Sequence, residues 1–134
     1  MRSFTLVLRI IAPLCFVVSA LHVILGLGAD ALLGAHVPAA AMADPGLDSQ
    51  NRFYGVAFAL YGVLLLVCSG DVRKYATVLR AILWVVFAGG LARLISVAVY
   101  GPLPPAIVAL FVSEVGPPPL LLWWLSRLDR DRPT

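Results

Sequence analysis

The stretch "ATVLRAILWVVFAGGLARLISVAVY", residues 76–100, decides the fold. It carries no proline and no acid, with Arg80 and Arg93 its only charges. It is longer than the ~20 apolar residues a helix needs to cross a hydrocarbon core ~30 Å thick. Working outward, Phe4 to Gly28, Arg52 to Ser69 and Pro105 to Ser126 meet the same condition. The composition is 61% hydrophobic and 13% charged, with a mean hydropathy of +0.96, which belongs to a membrane protein rather than to a soluble core. At 134 residues the length suits one domain, residues 1–134, and there is no linker, low-complexity tract or internal repeat. The expected fold is all-α: a polytopic four-helix membrane bundle with an outer loop over residues 29–51.

The first span has a competitor. A basic start, an apolar run and "AAAMA" before Asp44 imitate a secretory signal with its cleavage site. A signal's apolar region is only about 7 to 15 residues. Residues 10–28 exceed that, and a site ending at Ala43 lies too far beyond them, so a retained span is expected.

Basic residues beside spans stay in the cytoplasm. If four spans alternate, Arg2, Arg9, Arg73, Lys74, Arg80, Arg127, Arg130 and Arg132 fall on one side, leaving only Arg52 and Arg93 toward the other. Both termini are therefore expected inside, in a multi-pass membrane protein. Tyr75, Trp84, Trp123 and Trp124 near one boundary, with Phe53, Tyr54 and Tyr100 near the other, agree with that orientation. The net charge of +3 then reflects topology. No basic, aromatic-interleaved surface suited to nucleic acid is present, and no nucleic-acid partner is expected.

Between the first two spans lies "ADALLGAHVPAAAMADPGLDSQN", residues 29–51, without Lys or Arg. Its Ala-rich middle suits a short helix broken by Pro38 and closed by the turn "DPG". Asp48 or Ser49 is the expected N-cap of the second span. The other connections are brief: "GDVRKY" inside, and "YGPLPP" outside, whose prolines end one helix and start the next. Small residues recur at helical spacing, as Gly55, Ala59 and Gly62 on the second span and Ala88, Ala92 and Ser96 on the third. Such positions let helix backbones approach in lipid. Gly89, one turn before Arg93, clears space for its guanidinium or for a ligand.

Charged positions inside the spans compare by depth. From the middle of the outer turn, Arg93 and Glu114 lie about 14 Å and 17 Å along antiparallel helices at 1.5 Å per residue. A lone charge near a bilayer centre costs on the order of 3 kcal/mol, so the two are expected to pair. His22 lies roughly 9 Å from the outer end of the first span, and Arg52 opens the second. Each has a purely structural alternative: Arg52 snorkels to head groups, and His22 bonds between helices. Convergence favours a site, because His22, Asn51, Arg52, Arg93 and Glu114 come from all four spans and all favour the outer half.

In "FVSEVGPPPLLLWW", residues 111–124, Pro117, Pro118 and Pro119 cannot donate to the carbonyls of Ser113, Glu114 and Val115. Such a break is tolerated in a membrane where protein or a cavity supplies donors, and Arg93 carries five N–H groups. The alternative is a kink that only shapes the bundle.

These segments carry a resemblance. "HVILG" (residues 22–26), "NRFYG" (51–55), "GGLARLIS" (89–96), "GPLP" (101–104) and Glu114 with Pro118 resemble, in order and spacing, a family of small bacterial four-helix membrane proteins catalogued only as a domain of unknown function. That family is similar in size and layout to the DoxX-like membrane proteins. The resemblance implies a four-span bundle, multi-pass in a bacterial cytoplasmic (inner) membrane, marks His22, Gly26, Asn51, Arg52, Tyr54, Gly55, Arg93, Gly101, Pro102 and Glu114, and implies no activity.

Catalytic signatures are poor. Cys15 and Cys68 lack C-x-x-C spacing, His22 and His36 lack neighbouring metal ligands, and there is no phosphate loop or activated serine. The acid of small dimeric multidrug exporters stands in the first span, whereas here it is in the fourth. No metal and no cofactor are expected. Two functional classes follow. The first is a binding or accessory protein whose ligand site, drawn from His22, Asn51, Arg52, Tyr54, Arg93 and Glu114, holds an anionic amphiphile such as a lipid, isoprenoid or quinone, or docks a homo-oligomer or larger membrane complex. The second is a lipid-modifying enzyme or proton-coupled carrier using Glu114 or His22. The excess of Arg52 and Arg93 over Glu114 suits an anionic head, unless Asp30 or Asp48 supplies the balancing charge. An arginine pair keeps Glu114 ionised and a poor proton donor, which favours the first class and leans against an enzyme.

Overall fold

The computed structural model describes residues 2–130. In chain order the helices are α1 (Arg2–Leu25), α2 (Gly28–Leu32), α3 (Ala39–Met42), α4 (Pro45–Gly70), α5 (Ala76–Tyr100), α6 (Pro105–Val115) and α7 (Pro117–Arg130), with no strand among the described residues. Four stretches are long and apolar enough to cross a membrane: α1, α4, α5 and the α6–α7 run over Pro105–Leu128. The expected all-α class with four spans holds. Arg132, counted in the basic asymmetry, lies outside the described residues. The chain divides into two compact units, one over residues 2–70 and one from residue 71 onward.

In the first unit α1 packs antiparallel along α4. The buried stripe of α1 is Phe4, Leu8, Ala12, Ser19 and His22, and that of α4 is Gly55, Gly62, Leu65, Cys68 and Ser69. Both recur at helical spacing, which is why each helix turns one face inward. Glycine sets how closely they meet. A Cβ at Gly62 would lie 2.9 Å from the Phe16 ring, and one at Gly55 would lie 2.7 Å from His22 Cβ. At the other end Arg9 Nε donates to Ser69 Oγ at 3.3 Å. The opposite flank, with Leu6, Ile10, Leu14, Val17 and Ile24 exposed, is apolar, the pattern of a lipid-facing surface.

The start of α4 differs from expectation. It begins at Pro45 rather than Arg52, because Asp44 caps it: Asp44 Oδ1 accepts from the backbone N–H groups of Gly46 at 2.7 Å and Leu47 at 3.1 Å. Pro45 then occupies the first helical position, where its missing N–H is not needed. "DPG" is thus a helix start and not a turn, and Asp48 and Ser49 lie on the helix instead of capping it. The Ala-rich helix of the connection is present as α3, which follows Pro38 directly.

In the second unit α5 packs against α6 and α7, with Val72, Ala76, Leu79, Ile82, Leu83, Leu121 and Leu125 buried. The expected small-residue face of α5 is not the one used: Ala88, Ala92 and Ser96 are exposed, and Gly90 is buried.

Candidate functional site

The first cluster forms where α1 ends. A helix leaves its last carbonyls without intrahelical donors, and here a side chain from α4 answers them. Arg52 Nη1 donates to Val23 O at 2.5 Å and to Ile24 O at 3.2 Å. Asp48, one turn earlier on α4, holds the guanidinium: Arg52 Nε donates to Asp48 Oδ2 at 2.7 Å and Nη2 to Asp48 Oδ1 at 3.3 Å. The chain escapes α1 through Gly26, whose φ of 56° is left-handed, the conformation glycine supplies at helix ends. A Cβ there would stand 1.8 Å from Asp48 Oδ1.

The left-handed turn leads into α2, which brings Asp30 back to His22. His22 is 9% exposed and stacks on Phe58, with ring centroids 6.0 Å apart. Its Nδ1 lies 2.9 Å from Val18 O. A carbonyl only accepts, so Nδ1 carries the proton. Its Nε2 faces Asp30 Oδ1 at 3.8 Å. Asn51 Nδ2 donates to Asp30 Oδ2 at 2.5 Å, while Asn51 Oδ1 is buried without a hydrogen-bond partner.

The second cluster lies on α5 and α6. Arg93 Nε donates to Glu114 Oε2 at 2.6 Å and Nη2 to Glu114 Oε1 at 2.7 Å, a bidentate pair with side chains 29% and 18% exposed. The expected pair is therefore present. The backbone break beside it is narrower than an unwound turn. Gly116 interrupts the helix for one residue at φ −78° and ψ −61°, and α7 resumes at Pro117. Three prolines fit there because the first turn of a helix needs no N–H donors of its own. Space for the pair comes from Gly90 and not from Gly89: a Cβ on Gly90 would lie 2.7 Å from Val115 Cγ2 and 3.0 Å from Glu114 Cβ, whereas one on Gly89 meets nothing within 4 Å. Gly90→Ala is accordingly expected to lower stability by about 1 to 3 kcal/mol through overpacking. Gly89→Ala should leave it unchanged or raise it by about 0.5 to 1 kcal/mol. Thermal unfolding of the two neighbours in one detergent checks this, and equal losses would contradict the assigned face.

Residues 3–125 match the family described as Domain of unknown function (DUF4345). The chain belongs to that family. No curated protein and no solved structure matches it. In this DUF4345 chain, His22, Asn51 and Arg52 come together with Asp30 and Asp48 in the first unit, and Arg93 meets Glu114 in the second. Tyr54 joins neither set. It is 59% exposed and its ring stands edge-on to Phe53 at 6.0 Å, because it lies about 100° around α4 from the buried Gly55.

Of the two expected charge balances, the structure selects the one in which Asp48 supplies the balancing charge. Arg52 is answered by Asp48 and Arg93 by Glu114, and Asp30 adds a further acid. With both arginines answered by acids, the charge balance no longer favours an anionic head group. Asp48 was legible as the i,i+4 partner of Arg52. Asp30 had no such signal, since a left-handed turn brings it back. Among the described residues no His, Cys, Asp and Glu group could hold a metal ion, and Cys15 and Cys68 are free thiols.

Proposed function

We propose that the protein is a binding or accessory protein of the bacterial cytoplasmic membrane, similar in layout to DoxX-like membrane proteins, that holds a lipophilic small molecule such as a lipid, isoprenoid or quinone. One observation carries the reading: Asn51 Oδ1 is buried without a partner, beside the buried His22 and the Asp30 carboxylate, at the end of a helix pair whose outer flanks are apolar. A buried acceptor left unsatisfied costs about 1 to 3 kcal/mol. A bound head group that donates to it recovers that loss, which the amine or hydroxyl of a lipid, the hydroxyl of an isoprenol or the reduced quinol form of a quinone can do. Arg52 supports the site rather than the ligand, because its donors already hold α1 and Asp48. Proton transfer by Glu114 is disfavoured by its bidentate arginine. The basic asymmetry of the sequence supports placing both termini in the cytoplasm, with the cluster toward the outer leaflet.

The test is mass spectrometry of lipophiles copurifying in mild detergent. Wild type should retain a species that Asn51→Leu loses, with Arg52→Gln keeping it if the protein still folds. Identical profiles for wild type and Asn51→Leu would overturn the reading. For orientation, a reporter fused after Thr134 should report a cytoplasmic end, and a cysteine at Ala40 should label from outside.

A further inference from the structure

The cluster at the end of α1 is short of donors, and the shortage has a definite chemistry. With its Nδ1 proton committed to Val18 O, a neutral His22 ring presents a lone pair at Nε2. That lone pair faces Asp30 Oδ1 at 3.8 Å, beyond hydrogen-bond distance, so two acceptors stand opposite one another. Asp30 Oδ2 is occupied by Asn51 Nδ2, and the same amide leaves Oδ1 buried and bare. Among the described residues, the charged group that faces the ring is Asp30 from α2, while Asp48 and Arg52 from α4 lie beside Gly26. Arg52 is bound by Asp48 at 2.7 Å, which leaves the Asp30 charge without an arginine or lysine partner among the described residues while His22 is neutral.

We infer that His22 Nε2, Asp30 Oδ1 and Asn51 Oδ1 form a receptor for a primary ammonium group, carried by an aminated lipid head group or by a free amine. This rests on the ligand-binding reading above and specifies its head group. An ammonium brings three N–H donors and one positive charge, matching three acceptors and one uncompensated carboxylate. A hydroxyl brings one donor. A trimethylammonium brings none, and an anion meets the Asp30 charge unfavourably. A proton on Nε2 would serve Asp30 and leave the Asn51 oxygen bare. The Asp30 side chain is 33% exposed, so a ligand would approach from that side. Leu32 on the same short helix and Ile24 at the end of α1, 67% and 71% exposed, offer apolar surface for an acyl chain.

The full chain in phosphatidylcholine nanodiscs provides the test, with part of the lipid replaced by phosphatidylethanolamine, by phosphatidylglycerol or by a quinone, and with free ethanolamine as a separate arm. Phosphatidylethanolamine should raise the unfolding temperature by about 3 °C or more, and Asn51→Leu and Asp30→Asn should each abolish that rise. A rise with free ethanolamine alone assigns the site to a soluble amine of the same chemistry. If phosphatidylglycerol or the quinone stabilises as much as phosphatidylethanolamine, the ammonium assignment fails while lipophile binding stands. If no addition stabilises the protein, both fail. A phosphatidylethanolamine effect unchanged in both variants would also remove the site, since bulk lipid then explains it.

Discussion

Glu114→Gln is expected to lower stability by about 3 kcal/mol, the cost of taking the partner from a part-buried charge inside an apolar span. The pair is bidentate, with both nitrogen-to-oxygen distances below 2.8 Å, and lies inside segments long and apolar enough to span a membrane. A neutral amide in its place keeps the shape but leaves the guanidinium charge in a medium that tolerates it poorly, although snorkelling and local water soften the loss. Arg93→Gln should cost a similar amount, and the double substitution should recover part of it by replacing an ion pair with two amides. Unfolding temperature in detergent measures all three. Strictly additive losses would show that the two side chains do not support one another. Glu114→Asp should fall between, because the shorter side chain keeps the charge but not both contacts.

The second large effect is expected at a glycine. Gly26→Ala should cost about 2 to 4 kcal/mol, from two sources. A left-handed backbone costs an alanine about 1 to 2 kcal/mol that glycine avoids. The new methyl also falls on Asp48 Oδ1, and within 3.2 Å of Arg52 Nη2. Asp48 must then swing away, and the guanidinium it orients no longer holds the Val23 and Ile24 carbonyls, each a lost charge-assisted hydrogen bond. The steric part is separable. In an Asp48→Ala background the clash is gone, so Gly26→Ala should there cost only its backbone share. An undiminished penalty in that background would show that Asp48 is not what the methyl meets.

The sequence by itself determined that four apolar spans are present, because length and apolarity alone decide whether a segment can cross a bilayer. It also determined the Arg93–Glu114 pair, since counting residues from a shared turn sets depth on antiparallel helices, and an isolated charge at that depth is costly enough to require a partner. Asp44 and Pro45 were readable as a cap and a first helical residue, but "DPG" suits a turn equally well by local preference. Continuation into α4 selects between them. Helix rotation was not legible: Gly89 and Gly90 differ by 100° around α5, and only the packed α6 decides which one faces Glu114. Nor was the partner of His22. Asp30 reaches it because Gly26 turns left-handed and α2 folds back, a path set by close contact with Asp48 and Arg52 on a helix that starts nearly twenty residues later. Local sequence encodes each helix, whereas the polar cluster depends on contacts that exist only once α1 and α4 are side by side.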